Sequence, residues 1–129
     1  MVAVDTNVLV RLLVKDHPAQ TARAAAIFAE SAIYIPKTVL LEAAWVLGDA
    51  YGLDNAEVAR LLRSVAGLSN VVMEDPQVIL EAFVALESGV DFADALHVAS
   101  SAGAERFVTF DRRLGRKAAT IRGVEVKLL

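Results

Sequence analysis

Five short apolar runs, MVAV, AIYIP, NVVM, RFVTF and VEVKLL, are separated by segments whose apolar residues recur at helical spacing. A short apolar run between helical segments reads as a strand buried on both faces, and strands alternating with helices predict an α/β fold with a mostly parallel central sheet. At 129 residues the sequence is read as one domain, 1–129, large enough to bury about two-thirds of the surface its unfolded chain exposes.

The segments between the strands carry their own boundary signals. Val8, Leu9, Leu12 and Leu13 share one face of a helix over 6–15. His17-Pro18 marks a turn, with Pro18 suited to the first position of a second helix that runs to about Glu30. The most apolar helix spans 38–51, with Leu41, Ala44, Trp45 and Gly48 three to four apart, and Gly52 stops it. Asp54 caps the next helix, to about Ala66, and Glu57 completes an Asp-x-x-Glu capping box. Asp75-Pro76 opens a helix ending near Gly89, Asp91 caps another that Gly103 ends, and Asp111 caps a short basic helix.

Several chemistries are excluded by composition. With no cysteine there is no disulfide, zinc-thiolate site or thiol nucleophile. The chain is 56% apolar, yet no run approaches the roughly 20 residues of a membrane-spanning helix. The surplus is expected in a helical core and a protein interface. The N-terminus opens into a strand without a basic leader, so a cytoplasmic location is expected. The net charge of −3 is unevenly spread. Residues 105–129 hold seven basic residues against Glu105, Asp111 and Glu125, a balance of +4 that leaves −7 on the rest. Such asymmetry allows a phosphate-binding edge, and equally a solvated C-terminal helix.

Four acids stand where strands give way to helices: Asp5 in VDTNVL, Glu42 in TVLLEAAWVL, Asp94 in VDFADALHVA and Asp111 in VTFDRRLG. The carboxyl ends of parallel strands share one edge of a sheet, so three of these acids are expected to converge there. Two unit charges about 4 Å apart repel by roughly 4 kcal/mol at an effective dielectric near 20. A divalent cation with oxygen ligands, Mg²⁺ or Mn²⁺, relieves that repulsion. Each acid also has a plainer explanation. Asp5, Asp91 and Asp111 precede helices and suit N-capping. Asp91 and Asp94 together fit a capped helix start. Glu42, between Leu40, Leu41, Ala43 and Ala44, is expected to lack an easy route to solvent, which favours a functional role. His97 reads as a packed side chain and His17 as an exposed one.

Taken together, VDTNVLVRLL, Glu42, DFADALHVAS and VTFDRRL resemble, in order and spacing, the acidic motifs of PIN-domain ribonucleases, and most of all the VapC toxins of bacterial and archaeal toxin–antitoxin pairs. The resemblance implies a three-layer α/β/α sandwich around a parallel sheet of about five strands. It makes Asp5, Glu42, Asp94 and Asp111 the metal-site acids, with Asp91 ranked below them and Thr6, Asn7 and Thr109 as polar supports. It also implies hydrolysis of RNA phosphodiester bonds with Mg²⁺ or Mn²⁺, self-association as a homodimer, and a small VapB-type antitoxin held in an apolar groove. Arg112, Arg113, Arg116 and Lys117 follow Asp111 and are the expected RNA-phosphate contacts.

Other readings remain open. A solitary RNA-processing PIN nuclease shares every motif. A receiver-type signalling domain has a similar rhythm and binds Mg²⁺, but calls for an acidic pair after the first strand, where Asp5 stands alone. An Asp-x-Asp phosphatase needs an acid where Asn7 stands, and a non-catalytic PIN-like module predicts loss of acids that are all present.

Overall fold

The computed structural model describes residues 1–117 and 120–129, which form two compact units, Met1–Glu74 and Asp75–Leu129. In the first, strand β1 (Val2–Ala3) leads into helix α1 (Thr6–Val14), followed by α2 (Pro18–Glu30), β2 (Ile33–Ile35), α3 (Lys37–Trp45), α4 (Asn55–Ala66) and β3 (Val71–Met73). The strands run parallel in the order β1-β2-β3, with Ile33 opposite both Val2 and Val71. Ile33 and Ile35 on the central strand are fully buried, as an all-parallel sheet covered by helices requires.

Local chemistry sets the helix ends. Pro18 occupies the first turn of α2, and the His17 ring nitrogen Nδ1 accepts a hydrogen bond from the Gln20 N–H at 3.2 Å. His17 is therefore a cap as well as an exposed side chain. The Asp54–Glu57 capping box forms as the sequence predicts. Beyond α3 the helix widens into a π-helical turn, Val46–Ala50, which ends at Gly52 with φ +68°, a value that costs glycine little. Tyr51 at its end is tied back to the first helix pair: its hydroxyl donates to Asp16 Oδ2 at 2.8 Å and accepts from Arg11 Nη1 at 3.2 Å.

The face that α3 buries differs from the one read in sequence. Leu40, Ala43, Ala44 and Leu47 point inward, whereas Trp45 is 64% exposed. The apolar side chains of α2 and α4 are also largely absorbed. Phe28, Val58, Leu62 and Val65 are buried and Leu61 is half-buried, leaving alanines such as Ala22, Ala26 and Ala29 outside.

In the second unit, α5 (Pro76–Glu87) packs on α6 (Phe92–Ala99), with the Phe83 and Phe92 rings stacked at 5.7 Å. Strand β4 (Arg106–Thr109) pairs in parallel with β6 (Val124–Leu128), and the short basic helix α7 (Arg112–Lys117) lies between them in sequence. A strand absent from the sequence reading, β5 (Thr120–Ile121), pairs antiparallel with β6, giving the order β4-β6-β5. Its turn holds Arg122 at φ 52° and Gly123 at φ 75°, the two positive values of a type I′ hairpin. Among the described residues the strand ladders form two three-stranded sheets, one in each unit, where a single sheet of about five strands is expected from sequence. The chain is α/β, and its strands pair in parallel except for β5.

Candidate active site

In the first unit, parallel β1 and β3 both end in an acid. After β1, Asp5 starts α1 in extended conformation, and its Oδ1 accepts from the Thr6 N–H at 2.7 Å. An ordinary N-cap bonds the second or third N–H of the helix. Asp5 takes only the first, and its other oxygen has no hydrogen-bond partner among the described residues. Thr6 is buried at 5% exposure, and Asn7 is exposed. After β3, Glu74 does what Pro36 at the start of α3 cannot: its Oε1 accepts from the Lys37 N–H at 2.9 Å. Glu74 was not among the acids singled out by sequence. The signal was its place at the end of NVVM, one residue before the Asp-Pro helix start.

Glu42 corrects the sequence argument. Its neighbours along the chain are apolar, but on the helix Leu40, Ala43 and Leu47 turn away from it, and Glu42 is exposed. Thr38, Glu42, Trp45 and Asp49 instead form one solvent-facing stripe with spacings of four, three and four residues. Glu42 thus needs no buried partner, and its part in a site rests on position and family motif.

In the second unit the charges of two acids, Asp91 and Asp111, act on a third, Asp94. Asp91 caps α6, its Oδ2 accepting from the Asp94 N–H at 3.3 Å. Asp111 caps α7, its Oδ1 accepting from the N–H groups of Arg113 at 2.9 Å and Leu114 at 3.2 Å, while the Asp111 N–H donates to Thr109 Oγ1 at 3.0 Å. Asp94 is half-buried, and its carboxyl is pushed up from the ordinary 3.8, first by desolvation, then by the charges of Asp91 and Asp111, with His97 pulling the other way. Thr109 Oγ1 thus holds the backbone N–H of Asp111.

The basic helix is divided. Arg112, Arg113 and Arg116 are exposed with no ion pair among the described residues. Lys117 Nζ donates to the Gly89 carbonyl oxygen at 3.2 Å, bridging α7 to the turn that precedes Asp91. Gly89 sits at φ +101°, and a Cβ there would meet Nζ at 3.1 Å. Lys117 is thus engaged in the fold, and the three arginines are the available cations.

Carboxylate oxygens are the donors a hard divalent ion takes. Among the described residues, no three His, Cys, Asp or Glu side chains stand close enough to hold a metal ion, so the gathered cluster expected from sequence is not an observed feature.

An α/β protein with acids at its strand-to-helix junctions is the class these features define. The PIN domain family model matches residues 2–119, and the chain belongs to that family. PIN domains are generally nucleases, hydrolases that use divalent metal ions and act on RNA. Comparison with curated proteins and with solved structures gives no match. No helix among the described residues is long and apolar enough to cross a membrane.

Proposed function

We propose that this chain is a single catalytic domain, a metal-dependent endoribonuclease acting as the toxin of a VapBC-type pair. The observation that carries the catalytic part is the family match over residues 2–119, with Asp5 and Asp111 at helix starts and Asp94 in the first turn of α6. Carboxylates held where their charges oppose one another are a costly arrangement unless a cation is part of the working state. Asp5, Glu42, Asp94 and Asp111 are the proposed metal-site acids. When bound there, Mg²⁺ or Mn²⁺ would supply a water of lowered pKa and would relieve charge at the scissile phosphate. Asp111, held by two backbone N–H groups and by Thr109, orients the attacking water. Arg112, Arg113 and Arg116 neutralise flanking phosphates, and Lys117 holds α7 to the turn before α6.

A groove of about 590 Å³ in the first unit supports the partner assignment. Val8, Ala24 and Ile27 give it an apolar lining, and Asn7, Arg11 and Arg23 a polar one. It suits an amphipathic segment of a small antitoxin, and Asn7 places one end two residues from Asp5. A basic side chain from that partner would compete with metal for the acids. Homodimer formation through remaining exposed apolar side chains, Val84 and Phe110 among them, completes the proposal. A cytoplasmic location goes with it, since its substrate and partner are made there.

Expression alone should slow growth, and co-expression of a short partner encoded beside it should restore growth. Wild-type growth and a strict monomer, together with metal-dependent RNA cleavage in vitro, would instead indicate a solitary RNA-processing nuclease.

A further inference from the structure

We propose that the groove between α1 and α2 recognises a peptide segment that sets an acidic side chain on Arg23 among apolar anchors. This rests on the partner reading above and adds the charge that the partner must carry. The groove, of about 590 Å³, is framed by Val8 and Arg11 on α1 and by Gln20, Arg23, Ala24 and Ile27 on α2. Gln20, Arg23 and Ile27 are three and four residues apart, so they follow one stripe along α2. The two arginines differ. Arg11 is already bound within the fold: its Nε donates to Gln20 Oε1 at 2.7 Å, and its Nη1 to Asp16 Oδ1 at 3.4 Å and to the Tyr51 hydroxyl at 3.2 Å. Arg23 is exposed and makes no hydrogen bond or ion pair among the described residues, and no acid among them lines the groove.

A segment that covers Val8, Ala24 and Ile27 also takes the Arg23 guanidinium out of water, and a buried cation left without an anion is strongly unfavourable. A carboxylate answers it with two parallel N–H···O bonds, the geometry a guanidinium fits best. The same features decide between occupants. A single strand of RNA brings a phosphate with every nucleotide and is held by rows of cations and by aromatic faces. Here one arginine is available, and no aromatic residue lines the groove among the described residues. A two-fold contact lays the same patch on itself, and this patch has no carboxylate to offer Arg23. One acid among aliphatic side chains is the complement, and that is peptide chemistry.

Random peptides of about twelve residues, displayed on phage, would be selected on the full chain and on Arg23→Glu, and the leading sequences measured as soluble fluorescein-labelled peptides by anisotropy. Selections on the wild type should carry Asp or Glu flanked by aliphatic residues, and those on Arg23→Glu should carry Lys or Arg in its place. In the leading wild-type peptide, changing the acid to its amide should weaken binding at least about tenfold, and should change nothing on Arg23→Gln. Ile27→Gln should weaken every such peptide, which places them in the groove. Arg23 and Ile27 are exposed, so these substitutions leave the core untouched, and circular dichroism checks each fold. Selected peptides without an acid, an acid whose loss is without effect, or binding that Ile27→Gln leaves unchanged overturns the assignment, as does a library that yields no binder. An RNA oligonucleotide that displaces the peptides and loses affinity in Arg23→Gln overturns it in favour of RNA, and a dimer that Arg23→Glu dissociates overturns it in favour of a second copy. Acidic peptides selected by a protein without effect on growth leave the assignment standing while the toxin-pair reading fails. A partner encoded beside the gene that binds Arg23→Gln as tightly as wild type keeps the pair and overturns the acidic anchor.

Discussion

The Asp91 carboxylate accepts the backbone N–H of Asp94 at 3.3 Å, so one acid caps the helix turn from which the other projects. The two are chemically alike and structurally distinct. Asn caps about as well as Asp, so Asp91→Asn should retain most activity and lose little stability, while Asp91→Ala should cost about 1 kcal/mol. Asp94→Asn should remain folded and abolish cleavage. Loss of activity in Asp91→Asn equal to that in Asp94→Asn would make Asp91 a metal ligand and overturn the ranking.

The raised Asp94 carboxyl gives stability a definite pH slope. The native state binds the Asp94 proton more tightly than the unfolded state does, so in the interval from the ordinary value of 3.8 up to the raised native value the native state carries more protons. Stability contributed by this group is therefore present on the acid side and is lost as pH rises through the native value. Urea denaturation across that interval, at fixed salt and without divalent metal, should show the decline, and Asp94→Asn should flatten it. A steeper decline in the variant would contradict the assignment.

Of the fold, what was legible was what local chemistry dictates. The Pro18 helix start, the Asp54–Glu57 box and the Asp91 and Asp111 caps all follow from residue types at fixed offsets, and each is present. The β5 hairpin was not, because Arg122 at φ 52° takes a place usually held by Asn or Asp. Trp45 and Glu42 were misread for one reason. A helix rich in alanine and leucine offers several overlapping apolar stripes, and only packing selects the one through Leu40, Ala43 and Leu47. The strand-end acids were visible as positions, but Glu74 hid behind an Asp-Pro signal that accounted for its neighbourhood without it.

Capping and catalysis should separate cleanly at the other end of the chain. Asp54→Ala breaks the capping box and should cost about 1 kcal/mol, lowering Tm by a few degrees without changing cleavage at temperatures where the protein stays folded. A loss of activity out of proportion to the loss of folded protein would show that α4 takes part in the site.

Salt dependence tests the three arginines. If Arg112, Arg113 and Arg116 each meet a phosphate, the slope of log binding constant against log salt should shrink by about 0.7 for each one replaced by Ala, with weakening that is uniform across RNA sequences. Lys117→Ala should act chiefly on stability, because its ammonium is already held by the Gly89 carbonyl. Slopes unchanged in the triple arginine variant would move the phosphate contacts elsewhere.

The central claim is that the strand-end acids work through a divalent cation on RNA. It is tested most directly by incubating the purified protein with total cellular RNA in Mg²⁺ or Mn²⁺ and then in EDTA, beside Asp5→Asn and Asp94→Asn of verified fold, with the new 5′ ends mapped. Cleavage at discrete sites that requires metal and is absent from both variants is the predicted result; cleavage undiminished in EDTA, or retained in both variants, would contradict it.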